Sequence, residues 1–395
     1  MSRIFVTGMG AISAIGNSVA GNRAALIEGR TGIGPLRQFN TRYADLLPFG
    51  EVEISTASLA DKLSAHEPGL TRTSLLALHA FEEAVADAGW DEAIVQSSDT
   101  ALIGANTVGG MCLTDELYRD ANSREAGSPY LASYDAASVN LYLQKRFGLT
   151  GIINTINTAC SSSANAIAYG ARLIQHGFAK RAIVGGTDSL AKFTINGFNA
   201  LHILSAKPCA PFDQDRNGLN LGEGAAFIIL ENETALKERK TYAILSGHAN
   251  SNDAFHPSSI SDEGEGPYRS MKGALELAAL RPGDISFINA HGTGTENNDL
   301  TESRAMLRLF EKVPPFASTK SNTGHTLGAA GALEAVFSIL NLYHQEIYPA
   351  QNWQQPIPET GLRPVHAYQQ LPLQHVMSNS FGFGGNCTSL VFSAC

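Results

Sequence analysis

The chain has 395 residues, 44% of them hydrophobic and 16% charged, enough to bury a large core and too apolar for a disordered protein. It carries 28 basic and 37 acidic residues, a net charge of −9, which argues against a general nucleic-acid surface because phosphate binding needs clustered Lys and Arg. Five scattered cysteines, with no CxxC pair and no zinc-like Cys/His spacing, suit free thiols in a reducing cytoplasm, and no apolar run reaches the roughly 18 residues of a membrane span.

Short apolar strands alternate with helical patterns along the chain, the mark of an α/β protein. The first strand, Arg3–Thr7, runs into Gly8 and Gly10 and reads as a strand entering a glycine turn rather than as a signal peptide. Helix Thr73–Ala88 and strand Thr100–Gly104 follow. Then comes a helix over Ser161–His176, where Ala164, Ile167, Ala168, Ala171 and Ile174 form one apolar stripe. Strands are expected at Arg181–Gly185 and at Ala225–Leu230, the latter continuously apolar as in a strand covered on both faces. Charge concentrates in Glu231–Lys240, read as an exposed segment, and the alternation then restarts. This places a boundary near residue 240, with halves 1–240 and 241–395 sharing one core. The second half continues with strand Ala243–Ser246, helix Tyr268–Ala279, strand Ser286–Ala290, and helices Leu300–Phe310 and Gly328–Tyr343. Each half holds a small polar loop leading into an Ala-rich helix, Asn157–Ser163 in the first and Lys320–His325 in the second, an internal echo.

Those loops hold much of the candidate chemistry. Cys160 lies just ahead of three serines and a helix start, where unpaired N–H groups and the helix dipole favour a thiolate. It reads either as a nucleophile with small neighbours leaving room for substrate, or as a buried structural cysteine. His291 follows a strand directly, where α/β proteins build ligand sites, with Thr293 and Thr295 able to bond a polar ligand arm; a surface loop histidine is the plainer reading. His325 stands between Gly324 and Gly328 and reads as a site residue or as a capping histidine. Glu334 sits in an apolar helix and needs a partner, for which Lys320 is the candidate. Asn379–Asn386, two phenylalanines among three glycines, suits a gate or a plain hairpin turn. Gly8–Met9–Gly10 has Ser13 where a dinucleotide fingerprint needs its third small residue, and no GxSxG exists, so neither a nucleotide cofactor nor a serine hydrolase is read; no metal is expected.

In order, TACSSS at 158–163, NAHGTGT at 289–295, KSNTGHTLGAAGALEA at 320–335 and NSFGFGGN at 379–386 resemble the β-ketoacyl-acyl carrier protein synthases, most nearly the elongating members of bacterial fatty acid and type II polyketide systems. The resemblance runs from VTGMGAISAIG at the start to the last strand. It implies a thiolase fold, with two similar halves in five α-β-α-β-α layers, and an obligate dimer. It also implies Cys160 as the acylated nucleophile and His291 with His325 on the malonyl thioester carbonyl. Lys320 would stand near that pair with Glu334 as its partner, and Thr293 and Thr295 would contact the pantetheine arm. Phe383 would be the gate, its backbone N–H joining that of Cys160 in an oxyanion hole. Val108, Met111 and Phe198 are candidates for the acyl tunnel.

Two features depart from the common pattern. Ala210 stands before Pro211–Phe212–Asp213 where many members carry an Arg that docks the acidic acyl carrier protein, leaving Lys207 and Arg72 as docking candidates. Glu296–Asn297–Asn298–Asp299 is similar to aryl-polyene and flexirubin synthases, which implies specialised polyene synthesis and a heterodimer with a chain-length-factor subunit in place of a homodimer. Two rivals share the fold: an acyl-CoA thiolase, with Cys387 as its second cysteine, and a non-catalytic chain-length-factor-like subunit.

Overall fold

The computed structural model describes residues 3–236 and 239–395. Among them, five strands of the large sheet come from the first half: β1 (Ile4–Ser13), β2 (Thr100–Ala105), β3 (Ile153–Ile156), β4 (Arg181–Asp188) and β5 (Gly224–Asn232). They lie side by side in the order β3-β2-β4-β5-β1. β2 is parallel to β3 and β4, while β5 is antiparallel to β4 and β1. Five more strands of the same sheet come from the second half: β6 (Ala243–Asn252), β7 (Phe287–Asn289), β8 (Phe316–Ala317), β9 (His375–Phe381) and β10 (Asn386–Ser393). Their order, β8-β7-β9-β10-β6, and their strand directions repeat the first set position for position. The two sets join at one corner, where β1 meets β6 through Phe5–Ile244 and Val6–Ala243.

Six helices build the layers: α1 (Arg72–Asp87), α2 (Ser138–Phe147), α3 (Ser162–Gln175), α4 (Glu265–Ala278), α5 (Glu296–Leu309) and α6 (Ala330–His344). α3 and α6 pack against each other and touch both strand sets, so they form the central layer. α1 and α2 cover the outer face of the first set, α4 and α5 that of the second. The result is the five-layer thiolase-like arrangement. β5 makes the layering legible residue by residue. Ala226, Ile228 and Leu230 enter the central core and Ala225, Phe227 and Ile229 the outer one, the period of two expected of a strand covered on both faces. Being central on all sides, α6 has every residue from Ala330 to Leu342 buried.

Two expectations are corrected. Gly8 and Gly10 do not turn the chain, since β1 runs straight through them to Ser13. They lie under α1, where a Cβ on Gly8 would come within 2.5 Å of the Ala84 carbonyl oxygen and one on Gly10 within 2.0 Å of that of Ala80. The glycines let a helix rest directly on strand backbone. Glu231 is fully buried, paired with Arg181 and Arg239, so the segment Glu231–Lys240 is not uniformly exposed; Lys237 and Glu238 lie outside the described residues. The echoed loops do occupy equivalent places, Asn157–Ser163 between β3 and α3 and Lys320–His325 between β8 and α6. Both therefore open onto central helices, which is what brings them together. Asn379–Asn386 is a hairpin, β9 pairing with β10 up to Phe381–Cys387, with Phe383 at its tip.

Candidate active site

Cys160 sits on a sharp turn. Ala159 adopts a left-handed backbone, φ 53°, a cost that a non-glycine residue bears only where its surroundings enforce it. The serines enforce it: Ser162 Oγ accepts from the Thr158 N–H and donates to the Ala159 carbonyl, and Ser163 Oγ accepts from the Ala332 N–H of α6. The thiol itself is buried. The expected thiolate character is overridden. Burial pushes Cys160 up to about 11, against the pull of the Lys320 ammonium and of the Phe383 and Cys160 backbone N–H groups that face the sulfur. A short distance from the first helical turn does not offset loss of water.

His291 follows β7 on a loop held from behind by α5. Glu302 accepts from the His291 and Gly292 N–H groups, both at 2.9 Å, and Asp299 accepts from those of Thr293 and Gly294. Burial raises both carboxyls, that of Glu302 to about 7, while these N–H bonds pull the other way. The sequence reading named Asp299 only as the end of the Glu296–Asp299 stretch, gave it no role, and did not mention Glu302. Their i, i+3 spacing on one helix face, in a stretch without matching basic residues, was the available signal. His325 is fixed by its backbone N–H to the Asn220 carbonyl at 2.7 Å.

Lys320 is buried and takes three partners: the Glu334 carboxylate, the His291 carbonyl oxygen at 2.6 Å and His291 Nδ1 at 3.2 Å. Burial pushes Glu334 up to about 7 despite the Lys320 ammonium. The predicted buried pair is thus present, and it reaches the catalytic candidate directly. At His325 the Leu327 N–H donates to Nδ1 at 3.2 Å. Both imidazoles therefore accept at Nδ1 and keep their proton on Nε2. Burial and then Lys320 hold both rings well below the usual imidazole value, which favours their neutral form.

The three groups converge. Cys160 Sγ and one nitrogen of each imidazole lie within 4.8 Å of one another, and the rings meet edge to face with centroids 5.4 Å apart. His325 Nε2 is buried and has no protein partner. By distance the trio resembles a metal-ligand set, but with Nδ1 occupied by a donor each Nε2 presents a proton rather than a lone pair. The arrangement fits a developing negative oxygen better than a cation.

A cavity of about 400 Å³ contains Cys160, His291, His325, Thr293, Thr295, Phe198 and Phe383, and reaches the exposed Leu201 and His202. Thr293 and Thr295 bond to each other at 2.8 Å between their hydroxyls. Phe383 stacks on Phe198, centroids 5.7 Å apart, and the pair forms one wall. Val108 does not line this cavity. It is buried in the apolar cluster with Met111 and Phe198, and Met111 lines a second cavity of about 740 Å³. Arg72 is not free for a partner. Its guanidinium is buried against Glu223 and the Val52 and Ile54 carbonyls, holding the fold together, whereas Lys207 is exposed. Cys387 lies under Gly385 outside the Cys160 cavity, and burial pushes its thiol well up.

Family models agree with this geometry: the N-terminal domain of β-ketoacyl synthases matches residues 1–235 and the C-terminal domain residues 242–354. The chain belongs to the β-ketoacyl synthase family. It is 33% identical over 408 residues to 3-oxoacyl-[acyl-carrier-protein] synthase 2 of Synechocystis, covering 99% of this chain and 97% of that one. It is 35% identical to the Rhizobium meliloti protein of the same name, over 99% and 98% of the two chains. Among solved structures it superposes on the ishigamide ketosynthase/chain length factor with TM-score 0.93 and 30% identity, over 100% and 99% of the chains. A ketosynthase (ApeO) in complex with its chain length factor (ApeC) from Xenorhabdus doucetiae gives 0.87 and 32%, over 100% and 98%. AntDE:AntF, a type II polyketide acyl-carrier protein with its ketosynthase, gives 0.88 and 25%, over 100% of both. These likenesses carry the thiolase-like fold as well as the family. Among the described residues no helix is long and apolar enough to cross a membrane.

Proposed function

We propose that the chain is a 3-oxoacyl-acyl carrier protein synthase that condenses an acyl group on Cys160 with a malonyl thioester. The observation that carries this reading is a thiol and two imidazoles within 4.8 Å of one another, lining one cavity, with each Nδ1 facing a donor. In the first half-reaction the Cys160 sulfur bonds to the acyl carbonyl carbon, the carrier thioester C–S bond breaks, and the thiol proton leaves with the carrier's thiol. The N–H groups of Cys160 and Phe383 are the donors for the tetrahedral oxyanion. Malonyl thioester then enters with its carbonyl oxygen against His291 and His325. Its C–C bond to the carboxylate breaks, carbon dioxide departs, and the electron pair becomes an enolate held by the two N–H donors. The enolate carbon attacks the Cys160 thioester, the new C–C bond forms, and the sulfur is released to regain a proton. Lys320, with Glu334, holds the His291 tautomer, and Thr293 and Thr295 face the arm that delivers the thioesters.

The similarity to synthases of both fatty acid and polyketide systems supports elongation of a carrier-bound chain in one of these pathways, aryl-polyene synthesis among them. The structures solved with an acyl-carrier protein and with chain length factors support those two partner classes, with a second copy of this chain as the alternative to the latter. The division at residue 240 gives Cys160 to one half and His291, Lys320 and His325 to the other. A cytoplasmic location follows from the same reading. Incubation with acyl and malonyl carriers, read by mass spectrometry of protein and products, tests the proposal. Cys160→Ser is expected to lose the acyl mass, and His291→Ala to keep it while malonyl decarboxylation falls at least about a hundredfold, as for loss of an oxyanion donor. Normal condensation by His291→Ala would refute the assignment. A thiolase would perform no decarboxylation, and the burial of Cys387 away from the cavity disfavours that reading.

A further inference from the structure

The two N–H groups facing the Cys160 sulfur come from opposite halves of the chain, that of Cys160 from the turn after β3 and that of Phe383 from the tip of the β9–β10 hairpin. An oxyanion hole works only if its donors stand about 3 Å from the same oxygen, so something must fix the spacing of these two segments. The backbone alone brings them close. A Cβ on Gly382 would lie 2.7 Å from the Thr158 carbonyl oxygen and 3.1 Å from the Cys160 nitrogen. Behind that contact lies a cluster of carboxamides. Asn386 Oδ1 accepts from Asn165 Nδ2 at 2.9 Å, from Asn250 Nδ2 at 2.7 Å and from Ser161 Oγ at 2.8 Å. Asn165 Nδ2 also donates to Thr158 Oγ1 at 2.8 Å, and Asn165 Oδ1 accepts from Asn250 Nδ2 and Thr388 Oγ1, each at 3.0 Å. On its main chain, Asn386 accepts from the Gly382 N–H at 2.8 Å, closing the Phe383 loop at its base.

We propose that Asn386 is a positioning residue: one side-chain oxygen ties the base of the Phe383 loop directly to Ser161 and, through Asn165, to Thr158, on either side of the nucleophile, and so sets the width of the hole. No part of Asn386 faces the reacting atoms; it acts through Phe383 and Cys160. The role covers the two steps that form an oxyanion on the acyl carbon, acylation of Cys160 and enolate attack on its thioester, and not decarboxylation. The imidazoles hang from β7 and from the Lys320–His325 loop, which the carboxamide cluster does not touch, and direct alkylation of the thiol has no oxyanion to stabilise. A carboxylate at 386 keeps the acceptor, whereas a methyl group removes it.

This inference rests on the acyl-transfer reading above, and the experiment separates the two. Wild type, Asn386→Ala and Asn386→Asp are compared in acyl transfer from an acyl carrier to Cys160, in alkylation of Cys160 by iodoacetamide and in thermal melting. Asn386→Ala is expected to slow acyl transfer at saturating carrier by at least about tenfold, short of the roughly hundred- to thousandfold that loss of a donor costs. Its KM and its alkylation rate should stay within about twofold of wild type, and Asn386→Asp should recover most of the acyl-transfer rate. Acyl transfer by Asn386→Ala at the wild-type rate overturns the proposal, as does an equal fall in acyl transfer and alkylation, which marks general disorder of the turn. Failure of wild type itself to become acylated would instead refute the parent reading.

Discussion

Cys160 is a thiol rather than a stored thiolate, and this has a kinetic signature. With the group pushed up to about 11, roughly one molecule in a thousand is ionised at pH 8. Iodoacetamide alkylation of Cys160 is therefore expected to climb about tenfold per pH unit from 7 to beyond 9; a plateau near 7 would mean that the ammonium and N–H groups outweigh burial. The two imidazoles titrate below the usual range and contribute no step there. The Lys320–Glu334 pair predicts an asymmetry. Glu334→Gln strands an ammonium in the core and is expected to cost about 3–5 kcal/mol. In Lys320→Met the remaining carboxyl can stay protonated. Its folded pKa then lies far above its unfolded value, so the folded state keeps a proton that the unfolded state releases, and stability is lost as pH rises. Because wild-type Glu334 itself ionises near 7, thermal melts of Lys320→Met should fall relative to wild type above pH 7, from pH 7 to pH 9, by up to roughly 1.4 kcal/mol per unit. That Cys160, His291 and His325 come together was legible because ordered motifs carried them. The thiol's protonation was not, because burial is a property of the assembled fold.

At the scale of elements, α5 is a template for the His291 loop rather than a cover for the sheet alone. Glu302→Ala would leave the His291 and Gly292 N–H groups buried without acceptors, at about 1–3 kcal/mol each. Decarboxylation should slow more than acylation, because the displaced loop carries the imidazole and not the thiol; equal losses would count against a templating role. The sequence located α5 as Leu300–Phe310, while the helix starts at Glu296, and the missing turn includes Asp299, one of the two carboxylates that hold the loop. Polar first turns carry no apolar period, which is why the start was unreadable. β8, two residues long, and β3, four residues with an exposed edge, gave too little pattern to find. β1 was cut short because its glycines read as a turn, although their use is to admit a helix at close range.

For the whole molecule, the repeated strand order leaves β3 at one end of the sheet, paired on one side only, to β2. Beside it Ile152 and Phe178 are exposed. A partner seated on this edge predicts that Ile152→Lys with Phe178→Lys shifts the assembly to monomer in analytical ultracentrifugation; an unchanged mass would place the partner elsewhere. The internal echo was visible in the sequence as two polar loops before Ala-rich helices. Its meaning was not, because only the packed central layer shows that these helices lie side by side.

That layer also limits how such an enzyme diversifies. α3 and α6 are clamped between the two strand sets, and the loops that carry the thiol and one imidazole lead into this close-packed layer. The aromatic wall of Phe198 and Phe383 stands instead on a surface helix and a hairpin tip. New chain lengths and degrees of unsaturation are thus most cheaply accommodated at that wall, while the reaction itself is inherited unaltered.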